Sequence, residues 1–356
     1  MSLRRLFAVV ILMLPGLRAE ASEIANAHVA RAEVADDSRE ARTAALGAAL
    51  DQVVLRLTGR EVPAESLASM RAAVADLVSA YRFLWREGAP GDTPQRLIEV
   101  RFDPAALERR LAELGIPVWG LTRPDVLVWI GVETGGGRRW FDRELDVEAT
   151  AVIEAAADAR GVPLIWPLND VEDRASLALA DLWGGFAEPI GNASTRYAPN
   201  AILSVRIERD GARFRTRWTL LQGDNPAVWD HAGYDLGALL TQGIATTAET
   251  LAARFAPLAS SLTVENAEIE FDGVKSLDDF AAINTLVESL AGVRAFRPVY
   301  ADGERLRYAV EFTGGRNALE QTLKLQRRLQ VQAPVVDTAS PGTETAPSRL
   351  YFRYQR

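Results

Sequence analysis

Chemistry that runs on histidine or thiol has little to draw on in this chain. There are two histidines, His28 and His231, and no cysteine. Thiolate nucleophiles, disulfides, thiolate zinc sites and iron–sulfur clusters are thereby excluded. His231 stands in Trp229-Asp230-His231-Ala232-Gly233-Tyr234-Asp235, where either Asp230 or Asp235 is placed to orient an imidazole. A triad also needs an activated serine, and no G-x-S-x-G elbow occurs. Neither H-E-x-x-H nor H-x-x-x-H occurs, so a zinc hydrolase would lack ligands. Both histidines are therefore expected to be structural, His28 on a first strand most of all.

Gly135-Gly136-Gly137 lies between a strand and a helix, as a phosphate loop would, but it lacks the G-K-[ST] ending. Asp142, Glu144, Asp146 and Glu148 crowd the next helix start with like charge that repels phosphate. A surface turn is the expectation there. The four acids either hold a divalent cation or, as is more ordinary, complement the helix dipole. No metal and no cofactor is expected. Of the eight tryptophans, Trp119, Trp129, Trp166 and Trp218 sit in or beside apolar runs and read as core. Trp183, in Leu182-Trp183-Gly184-Gly185-Phe186, has no such company, and Trp85 and Trp140 are also expected to be partly exposed. With His231, these three form the candidate ligand or partner surface, open to glycan stacking or to protein contact.

The elements that must carry these residues follow from periodicity. Asn26–Val34 alternates as a strand. Asp37 and Glu40 have capping-box spacing for a helix through Leu46, Leu50, Val53, Val54 and Leu57, stopped by Thr58-Gly59. A second helix is expected over Ala64–Ser79, a strand over Leu97–Phe102, and a helix opened by Asp103-Pro104 and ended by Gly115. Next, Asp125–Val132 reads as a strand covered on both faces. A helix through Val152, Ile153 and Ala156, closed by Gly161, and a buried strand Val162–Trp166 complete a right-handed βαβ unit. Ala201–Glu208 and Ala212–Leu221 flank the hairpin signal Asp210-Gly211. A strand near Val228 and a helix over Leu236–Phe255 close that region, and residues 168–199 read as a long loop able to fold over its sheet. Finally, a strand over Leu262–Ile269, a helix capped by Ser276, a hairpin around Asp302-Gly303 and a helix through Leu319, Leu323 and Leu325 give a βαββα order. Leu350–Tyr354 reads either as an edge strand or as a frayed end.

The fold class is thus α+β and multi-domain. It comprises a small α+β N-terminal domain (22–120), a mixed-sheet α/β middle domain (121–257) and a C-terminal βαββα ferredoxin-like or secretin-like module (258–333). A flexible tail is expected over 334–356. Before them, Arg4 and Arg5, the apolar run Leu6–Leu14 and Ala19-Glu20-Ala21 read as a signal peptide over 1–21, cleaved after Ala21. The run is far shorter than the roughly 20 residues of a membrane span. Cleavage removes three arginines and one glutamate, taking the formal charge from −8 to −10. Such acidity opposes nucleic-acid binding. Arginine outnumbers lysine 38 to 2, which suits a GC-rich genome and assigns no site.

The residues Ser38-Arg39-Glu40-Ala41, Val54-Leu55-Arg56-Leu57-Thr58-Gly59, Gly115-Ile116-Pro117-Val118-Trp119-Gly120 and Arg123-Pro124-Asp125-Val126-Leu127-Val128-Trp129 resemble the bacterial domain of unknown function family 2066 (DUF2066). These are exported proteobacterial proteins. The resemblance runs to about Pro257 and rests on packing and turn residues, so it implies export and no catalytic residue. The middle segment is also similar in element order to small periplasmic domains of Tol-Pal, curli and penicillin-binding-protein activator proteins, an analogy of fold that points to binding. Two functions fit. The first is a periplasmic, non-enzymatic protein that binds or helps assemble an envelope protein, with peptidoglycan or glycan as the other candidate partner. The second is a periplasmic hydrolase acting on cell-wall glycan or peptide through carboxylates.

Overall fold

The structure is a computed structural model that describes residues 22–24, 26–86, 94–223, 226–255, 264–290, 292–326, 328–332 and 349–355. The expected leader and residues 334–348 of the expected tail lie outside these. The multi-domain α+β class is what the described residues show: three larger sheets, each with its own hydrophobic core, and one short antiparallel pair of two-residue strands near residues 22 and 123.

The first part runs β1 (Ser22–Glu23), β2 (Val29–Glu33), α1 (Arg39–Thr58), α2 (Ala64–Ala72), α3 (Val74–Leu77), β3 (Val78–Arg86), β4 (Gln95–Phe102), α4 (Pro104–Glu113) and β5 (Thr122–Arg123). Its sheet has the order β2-β4-β3, antiparallel throughout. α1 lays Ala49, Leu50, Val53 and Leu57 on Ile98 and Val100 of β4. The α1 cap is Ser38 rather than Asp37. Ser38 is the last extended residue, and its Oγ accepts from the Ala41 amide at 3.0 Å while Asp36 braces the Ser38 amide. Asp37 instead turns outward to pair with Arg96. The helix expected to reach Ser79 breaks at Ala73, and β3 begins at Val78. From there Tyr81, Phe83 and Trp85 alternate with Arg82, Leu84 and Arg86, an aromatic-rich period-two pattern that suits a pleated strand better than a helix.

The middle part comprises β6 (Val126–Thr134), β7 (Gly137–Trp140), α5 (Val147–Arg160), β8 (Leu164–Ile165), α6 (Val171–Ser176), α7 (Leu179–Gly184), α8 (Ala187–Ser194), β9 (Ala201–Asp210), β10 (Arg213–Leu221), β11 (Ala227–Gly233) and α9 (Leu236–Phe255). The order is β11-β10-β9-β6-β7, with β6 parallel to both β8 and β9. The glycine run is a hairpin turn between β6 and β7. That hairpin occupies most of the free side of β6, so β8 pairs only at Val126 and Leu127 and is far shorter than the strand expected over Val162–Trp166. α5 and α9 cover one face of the sheet. The segment read as a long loop is a cap of three short helices on the other face, burying Leu127 and Trp129 beneath Leu177, Leu182, Ile190 and Ala193. A covered second face is why β6 is apolar at nearly every position.

The last part comprises β12 (Glu265–Asp272), α10 (Leu277–Ser289), β13 (Val293–Asp302), β14 (Arg305–Phe312), α11 (Arg316–Leu325), β15 (Leu329–Val331) and β16 (Arg349–Tyr354). Strands β12, β14 and β13 pair antiparallel as in a ferredoxin-like sheet, but β16 enters between β12 and β15. Residues 349–354 are therefore neither tail nor edge. Leu350, Phe352 and Tyr354 point into the core, while Arg349 and Arg353 pair with Glu268 and Asp272 on the opposite face, each at 2.9 Å. A slip of one residue would turn both sets inside out.

The first two parts are joined by one buried guanidinium. Arg123 is 0% exposed and donates to carbonyls at two helix ends: Arg56 (2.6 Å) of α1, and Arg160 and Gly161 (both 2.8 Å) at the end of α5. Nε donates to Gly120 O, and the ring of Trp119 lies 4.1 Å from the guanidinium carbon. Burial pushes its pKa down to about 9. The negative ends of two helix dipoles complement its charge.

Candidate functional site

A cleft opens where β7 and β8 part along the same side of β6. Beyond Ile165 the chain leaves the sheet, and Trp166 stacks on Phe141 with centroids 5.9 Å apart. The cavity, about 340 Å³, is lined by Arg138, Arg139, Trp140, Asn169, Arg174 and Leu179 among others. Its walls are braced from behind. Arg139 binds Asp146 through two hydrogen bonds of 2.8 and 2.6 Å, and this guanidinium helps to hold the Asp146 carboxyl below its usual range. Asp142 accepts from the amides of Glu144 and Leu145 in the turn before α5. Asn169, in the left-handed region at φ 52°, donates to Phe141 O at 3.3 Å. The buried Asp173 takes the Asn169 amide at 2.8 Å, the Tyr197 hydroxyl at 2.6 Å and Arg196 at 3.1 Å. Arg196 also bridges Asp170, whose pKa falls to about 2, while burial raises that of Tyr197 to about 12. The cleft thus offers guanidinium and aromatic surface. The carboxylates nearest it, Asp142 and Asp146, already serve a turn and an arginine.

The four residues singled out from the sequence do not form one surface. Trp140, half-buried on β7, lines this cleft and packs on Trp129 at 5.8 Å. Trp183 lies nearby but is only 8% exposed: it is a buried residue of α7, not a loop residue, and Arg138 of the cleft wall sits 4.4 Å over its ring. His231 is elsewhere, on β11 opposite Thr216. Its Nε2 is buried without a hydrogen-bond partner, and desolvation lowers its pKa. Neither aspartate orients it. Asp230, one position away and therefore on the other face, binds Arg217 at 2.7 and 2.9 Å, and Asp235 accepts from the Ala238 amide at the start of α9. His28 belongs to the N-terminal part, in the turn just before β2 rather than on a strand as expected, and burial lowers its pKa too.

Trp85 is the most exposed of the four, at 68%, and it has company that single-residue reasoning missed. Tyr81 (47%) and Phe83 (39%) share its face of β3, so three aromatic rings stand in a row on an outer strand. This face continues the inner face of β4, where Ile98 and Val100 lie under α1; β3 extends past that helix. The spacing Tyr-x-Phe-x-Trp was visible in the sequence, but it lies between the helix expected to end at Ser79 and the strand expected from Leu97, in a stretch to which no element was assigned. Among the described residues, no helix is long and apolar enough to cross a membrane.

Residues 21–120, the part that carries β3, match the family described as Domain of unknown function (DUF8605). No curated protein and no solved structure matches the chain.

Proposed function

We propose that this chain is an exported, non-enzymatic protein of the bacterial envelope that binds a protein partner through the aromatic row on β3. The observation that carries this reading is Tyr81, Phe83 and Trp85, exposed together on one face of an outer strand within the segment that matches a family. Contiguous exposed apolar surface of this kind marks interaction sites. Export is supported by the basic start, short apolar run and Ala19-Glu20-Ala21 of residues 1–21. The resemblance to DUF2066 belongs to the same reading. The hydrolase alternative has less to stand on, because Asp142 and Asp146 are occupied by the turn and by Arg139.

The test places a photo-crosslinking residue at position 85 and, separately, at the still more exposed Leu277 on α10 of the C-terminal part. Crosslinking in intact cells is expected to trap one envelope protein, identified by mass spectrometry, from position 85 alone. Loss of that product in Tyr81→Ser/Phe83→Ser supports the assignment. Identical products from both positions, or a chain that retains Met1 and fractionates with the cytosol, overturns it.

A further inference from the structure

The aromatic row is also the free edge of a sheet. β3 is nine residues long, pairs with β4 on one side and has no strand on the other among the described residues. Alternate residues of such a strand aim N–H and C=O groups outward, unpaired. Proteins usually blunt such an edge with proline, charged side chains, a short strand or a bulge along its length, and of these β3 carries the charge of Arg82 and Arg86. Here there is no proline, and the one irregularity falls at the very start, between Val78 and Ala80. From Tyr81 to Arg86 the pairing with β4 is regular, and the other side has no partner strand among the described residues.

Charge identifies what fits it. The three strands of this sheet carry five arginines (31, 82, 86, 96, 101) against two glutamates (33, 99), in a chain whose formal charge is −8. Glu99 is shared between Arg82 and Arg31, both at 2.7 Å, so one carboxylate serves two guanidiniums. Among the described residues, Arg86 reaches the side-chain amide oxygen of Gln95, at 3.4 Å. Arg82 and Arg86 stand on the face opposite the aromatic row with Leu84 between them, so residues four apart on one face of an added strand would meet them.

We propose that β3 takes its partner as an added strand: an extended acidic polypeptide segment that pairs along this free edge. Its apolar side chains alternate onto Tyr81, Phe83 and Trp85, and its carboxylates meet Arg82 and Arg86. Main-chain hydrogen bonds supply affinity and the alternating side chains supply selectivity. This rests on the reading that the row is a partner surface and adds the chemistry of the partner. A second copy of the chain fits less well: an antiparallel pair centred on Leu84 would set Arg82 against the copy's Arg86. A glycan also fits less well, because the Arg96 guanidinium already lies 4.2 Å over the face of Phe83.

Binding to the purified chain is measured through amide-exchange protection of β3 and through the part of the tryptophan fluorescence change that Trp85→Phe removes. The probes are a ten-residue peptide of alternating Val and Glu, its Val and Lys counterpart, and an oligomer of N-acetylglucosamine. The acidic peptide alone is expected to bind and to protect β3 amides. Arg82→Glu/Arg86→Glu should weaken it by about tenfold or more and give the lysine peptide the advantage. Of two acidic peptides N-methylated at odd or at even residues, one should lose binding and the other keep it. Equal binding of both, preference for the lysine peptide by the parent chain, binding of the oligosaccharide alone, or a dimer dispersed by Phe83→Asp would each overturn the proposal. If no peptide binds while position 85 still crosslinks an identified envelope protein, strand addition fails and the partner reading stands. If the acidic peptide binds as described but crosslinking finds no envelope protein, the reverse holds.

Discussion

Replacing Arg123 with methionine tests whether one side chain holds the first two parts of the molecule together. The guanidinium is fully buried and donates to six carbonyls, those of Arg56, Leu57, Trp119, Gly120, Arg160 and Gly161. Leu57 O keeps a partner without it, because the Trp119 amide donates to it at 2.8 Å. The other five lose a charge-assisted donor in a place water reaches poorly. An orphaned buried acceptor costs about 1–3 kcal/mol, partly offset here because a buried cation is also removed. A further ~1 kcal/mol goes with the stacking on Trp119. The net expectation for Arg123→Met is a loss of about 4 kcal/mol, a large part of the 5–15 kcal/mol typical of a domain. Arg123→Lys should lose about 2 kcal/mol, since an ammonium has three donors and no planar fork to span two helix ends. Urea unfolding, followed by tryptophan fluorescence and far-ultraviolet circular dichroism together, is the assay. The two probes should coincide in the parent and separate in the methionine variant as the N-terminal part comes loose. A methionine variant within about 1 kcal/mol of the parent, or a lysine variant indistinguishable from it, would refute the reasoning.

Three further outcomes are expected. Gly243→Ala on α9 should destabilise by about 2–3 kcal/mol, because the added methyl meets the ring of the buried Trp218; denaturant midpoints would show it, and a neutral result would mean that α9 can move. Phe352→Ala should cost about 3–5 kcal/mol in the C-terminal part if β16 is core, and almost nothing if residues 349–354 are a tail. Burial lowers the pKa of both histidines, so the unfolded chain binds more protons just below pH 6.5 and stability should fall as pH drops from 7.5 to 5.5; the melting midpoint of His28→Gln/His231→Gln should change less over that range.

Much of the local structure was legible because it is dictated locally. Asp103-Pro104, Gly59, Gly161 and the Asp210-Gly211 turn each act through the backbone conformation of one or two residues, and the elements they bound lie where spacing puts them. The apolar continuity of β6 correctly implied cover on both faces. The helical cap that provides it was not legible, because its helices have only six to eight residues and are held mainly by packing on Trp129. The candidate site fared worse for the same reason. Trp183 is followed by two glycines in sequence, yet in space it is a buried residue of the cap helix α7, and His231 has two aspartates nearby in the chain that point elsewhere.

By itself, then, the amino-acid order determined the class of fold, the stops and turns, and which strands carry an inner and an outer face. Pairing across long stretches of chain was left to the tertiary structure. Residues 349–354 have an alternating pattern that suits any sheet, and only the acids of β12 and the gap beside β15 select their place. Exposure was decided in the same way. Tyr81, Phe83 and Trp85 are apolar residues on the inner face of a sheet, and they meet solvent only because α1 lies across β2 and β4 and stops short of β3. Hydrophobicity is a property of the residue, but burial is a property of what happens to pack over it.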